Sequence, residues 1–253
     1  HLVNGIGGAR WRVVVVVTSI ATAAGGVIAE LATSDGPFPF PRGVFRPSQV
    51  ADTIRHRGIR LASLGYFGHM WELYAMWAWF AAFYADTLTL DGGSASATTV
   101  SLVTFAVIGS GAVGCVVGGV LGDRWGRTRT TAAALMISGT CAMTIGFLRH
   151  GGAWLTAIVG IVWGITVVAD SAQFSAMVTE VGDQAYVGTA VTLQLAAGFV
   201  LTVVTIWLVP ELRDAVGWDW AFLLLVPGPA LGLVAMRALR SSEFGTAIAG
   251  GRG

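Results

Sequence analysis

Seven apolar runs occupy most of the chain: Val13–Leu31, Leu61–Tyr84, Thr99–Leu121, Thr131–Leu148, Ala153–Val178, Val187–Val209 and Trp220–Met236. Each reaches the roughly 17–25 residues that a helix needs to cross a bilayer. In hydrocarbon every backbone N–H and C=O must find its partner within the protein, so runs of this kind fold as helices. Composition agrees. Hydrophobic residues make up 55% of the chain and charged residues only 11%, against about 25% charged in a soluble domain. The expectation is an all-α integral membrane protein with seven transmembrane helices, embedded in the lipid bilayer of the cell membrane.

The connections between the runs carry the remaining information. Only 32–60 is long. It holds Pro37, Pro39, Pro41 and Pro47, then a polar stretch, Ser48–Arg60, suited to a surface helix. It reads as a linker between two bundles, dividing the chain into 1–31, 32–60 and 61–253. Seven spans place alternate connections on alternate sides. One side collects eleven arginines, Arg42, Arg46, Arg55, Arg57, Arg60, Arg124, Arg127, Arg129, Arg237, Arg240 and Arg252; the other holds four, Arg10, Arg12, Arg149 and Arg213. The arginine-rich side is therefore expected to be cytoplasmic, linker and C-terminal tail included. Residues 1–8 lack the basic start and cleavage site of a signal peptide. They read as the end of an earlier helix, so the sequence is expected to be a fragment.

One connection has a distinctive pattern. Gly119, Asp123, Arg124, Gly126 and Arg127, followed by Arg129, spell G-x-x-x-D-R-x-G-R between the third and fourth runs. This resembles the loop signature of the major facilitator superfamily, where it joins the second and third helices of a six-helix half. A weaker echo supports a repeat of that size. Gly8-Ala9-Arg10-Trp11 precedes the first run and Gly217-Trp218-Asp219-Trp220 opens the last, both reading G-x-x-W. The resemblance implies a C-terminal six-helix bundle of the major facilitator type over 61–253. Val13–Leu31 is then the last helix of an N-terminal bundle whose other helices are missing. It also implies alternating access between two rocking bundles, with the signature loop acting in conformational switching. The nitrate-porter branch would require an arginine in the third run and a glycine-rich signature in the sixth. Thr99–Leu121 has no arginine, and Val187–Val209 has only Gly188 and Gly198.

Ionisable residues inside a span mark pathways or partners, because they are costly there. Glu30 lies near a run's end, where it reaches the interface. His69 and Glu72 stand three apart on one helical face, among Trp71, Tyr74 and Trp77, which supply flat walls and polar edges for an organic solute. Functionally, Glu72 would load and release a proton, with His69 tuning it or binding substrate. Structurally, the same pair would lock helix packing. Asp170 and Gln173 repeat the spacing in the fifth run, and Gln194 is a further polar candidate in the sixth. Each admits either a proton or substrate role or an interhelical hydrogen bond.

Other classes fit less well. All fifteen basic residues are arginine, so a seven-helix photoreceptor has no lysine for its Schiff base. An embedded enzyme would need a catalytic or metal-binding cluster, and only His69/Glu72 approaches one. Cys115 and Cys141 lie in apolar runs without disulfide or metal spacing. No G-x-x-x-x-G-K-[ST] nucleotide loop occurs, and the net charge of +1 leaves no footprint for nucleic acid. The expected function is secondary active transport of a small organic solute or anion, coupled to protons and without cofactor. A channel or structural subunit without proton coupling is the alternative.

Overall fold

A computed structural model describes residues 11–33, 47–93 and 95–252, and among these every regular element is helical. The expectations for residues 1–8 and for the proline-rich part of the linker, 34–46, fall outside the described residues. Six helical stretches are long and apolar enough to cross a membrane: Arg12–Ala32, Ala97–Trp125, Arg127–Gly151, Ala153–Val181, Val187–Val216 and Trp218–Arg240. The seventh expected run lies in a helix of ample length, Arg57–Leu90, whose polar content keeps it out of that apolar set. Its place in the fold explains the difference. It is the central helix, sheathed by protein along much of its length, so its surface need not match lipid.

The first helix, α1 (Trp11–Ala32), buries none of its apolar window. A short amphipathic helix, α2 (Pro47–Arg55), overlaps the stretch expected to form a surface helix, Ser48–Arg60, whose last residues, 57–60, instead open the next helix. The central α3 (Arg57–Leu90) follows, started by His56, whose Nδ1 accepts the N–H of Ile59 at 3.2 Å. That bond satisfies one of the free donors at a helix start.

Two of the apolar stretches are broken. Ala97–Trp125 divides into α4 (Ala97–Gly109) and α5 (Gly111–Trp125) at Ser110, whose hydroxyl donates to the Val107 carbonyl at 2.7 Å. A hydroxyl bonding back along its own helix competes with the backbone ladder and bends it. Ala153–Val181 divides into α7 (Ala153–Ala169) and α8 (Ser171–Val181) at Asp170. Between these lies α6 (Arg127–Leu148). Then α9 runs from Val187 to Val216 through Pro210, beyond the expected end at Val209. The last stretch starts as α10 (Trp218–Ala221), passes through a 3₁₀ segment, Phe222–Leu225, and resumes as α11 (Pro227–Arg240). Pro227 sits at the first turn of α11, where its missing N–H costs nothing, so a helix restarts there.

Contacts at the two ends fix the helix directions. At one end Gly58 meets Phe244, and Arg127 meets Glu180. At the other, Trp218 Nε1 donates to Asp86 Oδ2 at 2.6 Å, and Asp91 Oδ2 accepts the N–H of Ala153 at 3.2 Å. Arg149 and Asp219 also approach there, at 4.0 Å. Successive membrane-length stretches from α3 onward thus alternate in direction. Their packing has a further regularity. The central α3 packs on α11 and α9, as α7–α8 packs on α6 and α4–α5; α6 meets α11, and α3 meets α7–α8. Exchanging the first three stretches for the last three reproduces this pattern with directions reversed.

Close approach depends on α5. A side chain at Gly118 would run into the carbonyl of Ala169, so α5 lies backbone to backbone against the α7–α8 break. Gly119, the residue that matched the loop pattern, faces open space instead.

Candidate functional site

Three polar groups converge inside this bundle. Glu72 is fully buried. Trp163 Nε1 on α7 donates to its Oε1 at 2.6 Å, and Ser138 Oγ on α6 donates to its Oε2 at 2.9 Å. Both carboxylate oxygens are thereby held, and three helices are tied at one point. The indole of Trp163 is itself fixed edge-on to Phe222, with ring centroids 5.3 Å apart.

His69, one turn earlier on α3, turns to different partners. Its Nδ1 lies 2.9 Å from Asp170 Oδ1, with both side chains almost wholly buried. Its Nε2 is 3.2 Å from Ser171 Oγ. Asp170 Oδ1 makes no well-aligned hydrogen bond, so the two side chains are in close contact without a directed bond between them. Phe174 and Tyr66 pack on the imidazole at centroid distances of 5.5 and 6.1 Å. The α7–α8 break thus coincides with the His69–Asp170 contact.

The aromatic candidates lie partly buried on other faces of α3. Trp71 Nε1 donates to the Leu224 carbonyl at 2.8 Å. Tyr74 meets Trp77 edge-on at 5.4 Å and Phe199 at 5.5 Å, while Trp77 Nε1 is buried without a partner. Gln194 on α9 is also buried, and neither atom of its amide finds a hydrogen bond.

At the arginine-rich end, the D-R-x-G-R loop turns at Gly126, whose φ of +97° is accessible to glycine at little cost. Arg127 Nε donates to Glu180 Oε1 at 2.8 Å, and its Nη1 donates to Gln173 Oε1 at 3.0 Å. Gln173 Nε2 in turn donates to the Gly118 carbonyl at 3.1 Å. Asp123 is exposed, and its carboxylate reaches Arg127 only at 3.9 Å. Arg124 and Arg129 are exposed as well, and Arg129 shares a groove with Arg237 and Arg240.

The sequence-derived candidates are therefore regrouped. His69 pairs with Asp170 and Glu72 with Trp163 and Ser138, while Gln173 joins the signature loop. Sequence reasoning passed over Ser138, Trp163, Ser171 and Glu180. Glu180 carried a usable signal: it is a carboxylate at the end of a run, on the side where the arginines collect. The other three are ordinary residues of apolar runs. Among the described residues no group of three or more His, Cys, Asp or Glu side chains gathers as a metal site would require. Comparison with protein-family models finds no match, and neither does comparison with curated proteins.

Proposed function

We propose that the chain forms the C-terminal six-helix bundle, preceded by the last helix of the N-terminal bundle, of a secondary active transporter. On this reading it is of the major facilitator type, works by alternating access, and moves a small organic solute or anion with protons. The observation that carries the reading is the buried His69–Asp170 pair at the α7–α8 break, with Glu72 one turn from His69. Broken helices that place polar groups within a bundle are a recurrent way to build a transport site. The exchange of three helices for three in the packing supports the same reading, because inverted three-helix repeats are nested in such transporters. So does a D-R-x-G-R loop whose Arg127 is engaged by α8. The unburied apolar window of α1 suits a helix whose partners belong to another bundle.

The charges suggest how a proton is handled. With His69 protonated, the three groups carry two negative charges and one positive. A single further proton makes the set neutral, the state least costly in a low-dielectric interior. Glu72 takes that proton on Oε2, where the Ser138 hydroxyl can rotate to accept from it, while Trp163 Nε1 goes on donating to Oε1. Releasing the proton restores a net negative charge, which favours an arrangement where water or a cation reaches the site. Movement of one bundle against the other would switch the side to which the proton is exposed.

The test is the full-length protein in liposomes, comparing accumulation driven by a pH gradient with substrate exchange at equilibrium. Coupled accumulation that is lost in Glu72→Gln while exchange survives supports the reading. Flux that follows the substrate gradient alone, indifferent to pH in the unaltered protein, would favour a channel.

A further inference from the structure

A second feature lies on α2, α3 and α9, with none of Glu72, His69 and Asp170 among its lining residues. A cavity of about 530 Å³ opens between α2, the first turns of α3 and the start of α9. Its volume falls in the range of about 300–1,000 Å³ typical of small-ligand sites. The walls are apolar and include Leu64 and Phe67. Two arginines, Arg57 and Arg60, stand at its mouth. Both are exposed, and neither has an ion-pair or hydrogen-bond partner among the described residues. Deeper in, Gln194 lines the cavity with 2% of its surface exposed, and both its amide nitrogen and oxygen are unpaired. Thr53 Oγ1, from α2, also lines the cavity and is likewise buried and unpaired.

A buried primary amide without partners is unfavourable unless something else supplies them. Here the unmet groups form a sequence: two cations at the mouth, an amide and a hydroxyl further in, and apolar wall alongside. We propose that this cavity binds an anionic phospholipid from the bilayer. Its phosphate sits between Arg57 and Arg60, its glycerol-ester region meets Gln194 and Thr53, and one acyl chain lies along Leu64 and Phe67. The order of groups in the ligand matches the order in the cavity. Basic pockets between helices are a known means of holding lipid head groups. The site lies on α2, α3 and α9 and stands apart from Glu72, so it does not depend on proton coupling.

The experiment uses the delipidated full chain in detergent, with thermal unfolding followed by tryptophan fluorescence. Lysophosphatidylglycerol is titrated against lysophosphatidylcholine and inorganic phosphate. Lysophosphatidylglycerol should raise the unfolding temperature saturably, and added salt should weaken the effect. Lysophosphatidylcholine should bind more weakly, and inorganic phosphate should give no shift. Gln194→Leu should lower affinity by about tenfold or more, the scale of a lost hydrogen bond to a charged or ester group. The paired change Arg57→Gln with Arg60→Gln should remove the preference for the anionic lipid. Without lipid, Gln194→Leu should unfold at or above the temperature of the unaltered chain, because an unpaired amide has gone. Equal affinity in Gln194→Leu, equal stabilisation by phosphate alone, or absence of a saturable lipid effect would each overturn the proposal. So would a strong loss of stability in lipid-free Gln194→Leu, which would show that the protein itself pairs the amide.

Discussion

Arg127 and the backbone of Ala249 share one carboxylate, that of Glu180: Arg127 Nε donates to Oε1 at 2.8 Å and the Ala249 N–H donates to Oε2 at 3.1 Å. Three segments distant in sequence are joined at this point: the start of α6, the end of α8 and the C-terminal tail. Ala249 adopts a φ of +51°, in a region uncommon for residues other than glycine. The adjacent Ile248 is fully buried against the bundle.

Glu180 should accordingly matter more to stability than Asp123. Arg127 and Glu180 are both largely buried, at 20% and 24% side-chain exposure, whereas Asp123 is 75% exposed. In a double-mutant cycle, Arg127→Gln and Glu180→Gln should show a coupling of about 0.5–3 kcal/mol, the range for residues sharing one network. Asp123→Asn should change stability by less than about 0.5 kcal/mol, as exposed positions do. Thermal unfolding of the four proteins of the cycle measures the coupling. A coupling indistinguishable from zero would mean that the pair contributes no more than a surface contact.

The proposed switching role gives Asp123 a separate signature. Its 3.9 Å approach to Arg127 leaves the carboxylate free to pair more closely in the other arrangement of the bundles. A contact made in one state only shifts the balance by its differential energy, on the order of 1–3 kcal/mol. In the full-length protein Asp123→Asn should slow turnover while largely sparing substrate affinity. Transport kinetics combined with equilibrium binding separate the two, and lost affinity with unaltered turnover would refute the role.

Close packing at Gly118 makes a third prediction. Gly118→Ala should destabilise the bundle by about 1–3 kcal/mol, the usual range for overpacking, because the new Cβ meets the Ala169 carbonyl. Gly119→Ala, facing open space, should be neutral or slightly stabilising, since alanine favours helix. Unfolding temperatures in detergent compare the two directly. Equal tolerance of both substitutions would contradict the α5 packing.

Much of this architecture was legible in the sequence, because hydrocarbon demands apolar length. The stretches around α4–α5, α6, α7–α8, α9 and α10–α11 follow from their composition alone. The central α3 was visible as a run, but its length was underestimated. Its ends, Arg57–Arg60 and Ala85–Leu90, are polar or mixed and look like connection. The breaks at Ser110 and Asp170 were hidden, because a hydroxyl or carboxylate in an apolar run does not announce whether it caps a helix or points across. The site was only half legible for the same reason. Spacing put His69 and Glu72 on one face of one helix, which suggested that they act on each other. Their partners come instead from α6, α7, the α7–α8 break and α8, and a single sequence does not show which helices pack together. The resemblance of the signature loop located Arg127 but offered no hint of Glu180.

Sidedness rests on the distribution of arginine and has its own test. Single cysteines are introduced into 122–130 and 85–98 of a full-length protein lacking Cys115 and Cys141. In intact cells an impermeant reagent should label 85–98 and spare 122–130 until the membrane is opened. Labelling of 122–130 in sealed cells would invert the assignment.

Trp163 and Glu72 give the last prediction, which separates a proton carrier from a packing lock. The indole N–H and the Ser138 hydroxyl are the two donors that hold the carboxylate. Trp163→Phe keeps the ring and removes one donor, leaving a buried oxygen unpaired at a cost of about 1–3 kcal/mol. Glu72→Gln keeps an acceptor for Trp163, and the Ser138 hydroxyl can rotate to accept from the new amide. The fold should therefore survive Glu72→Gln with little change in unfolding temperature. If Glu72 only locks the helices, transport in that variant should also be unchanged. If it carries the proton, accumulation under a pH gradient should be lost while exchange continues, because glutamine fills the site but cannot be charged. Asp170→Asn should act differently. It leaves His69 without its anionic partner, so both stability and exchange should fall. Liposome assays with the two variants side by side read the distinction, and full gradient-driven accumulation in Glu72→Gln would assign Glu72 to packing alone.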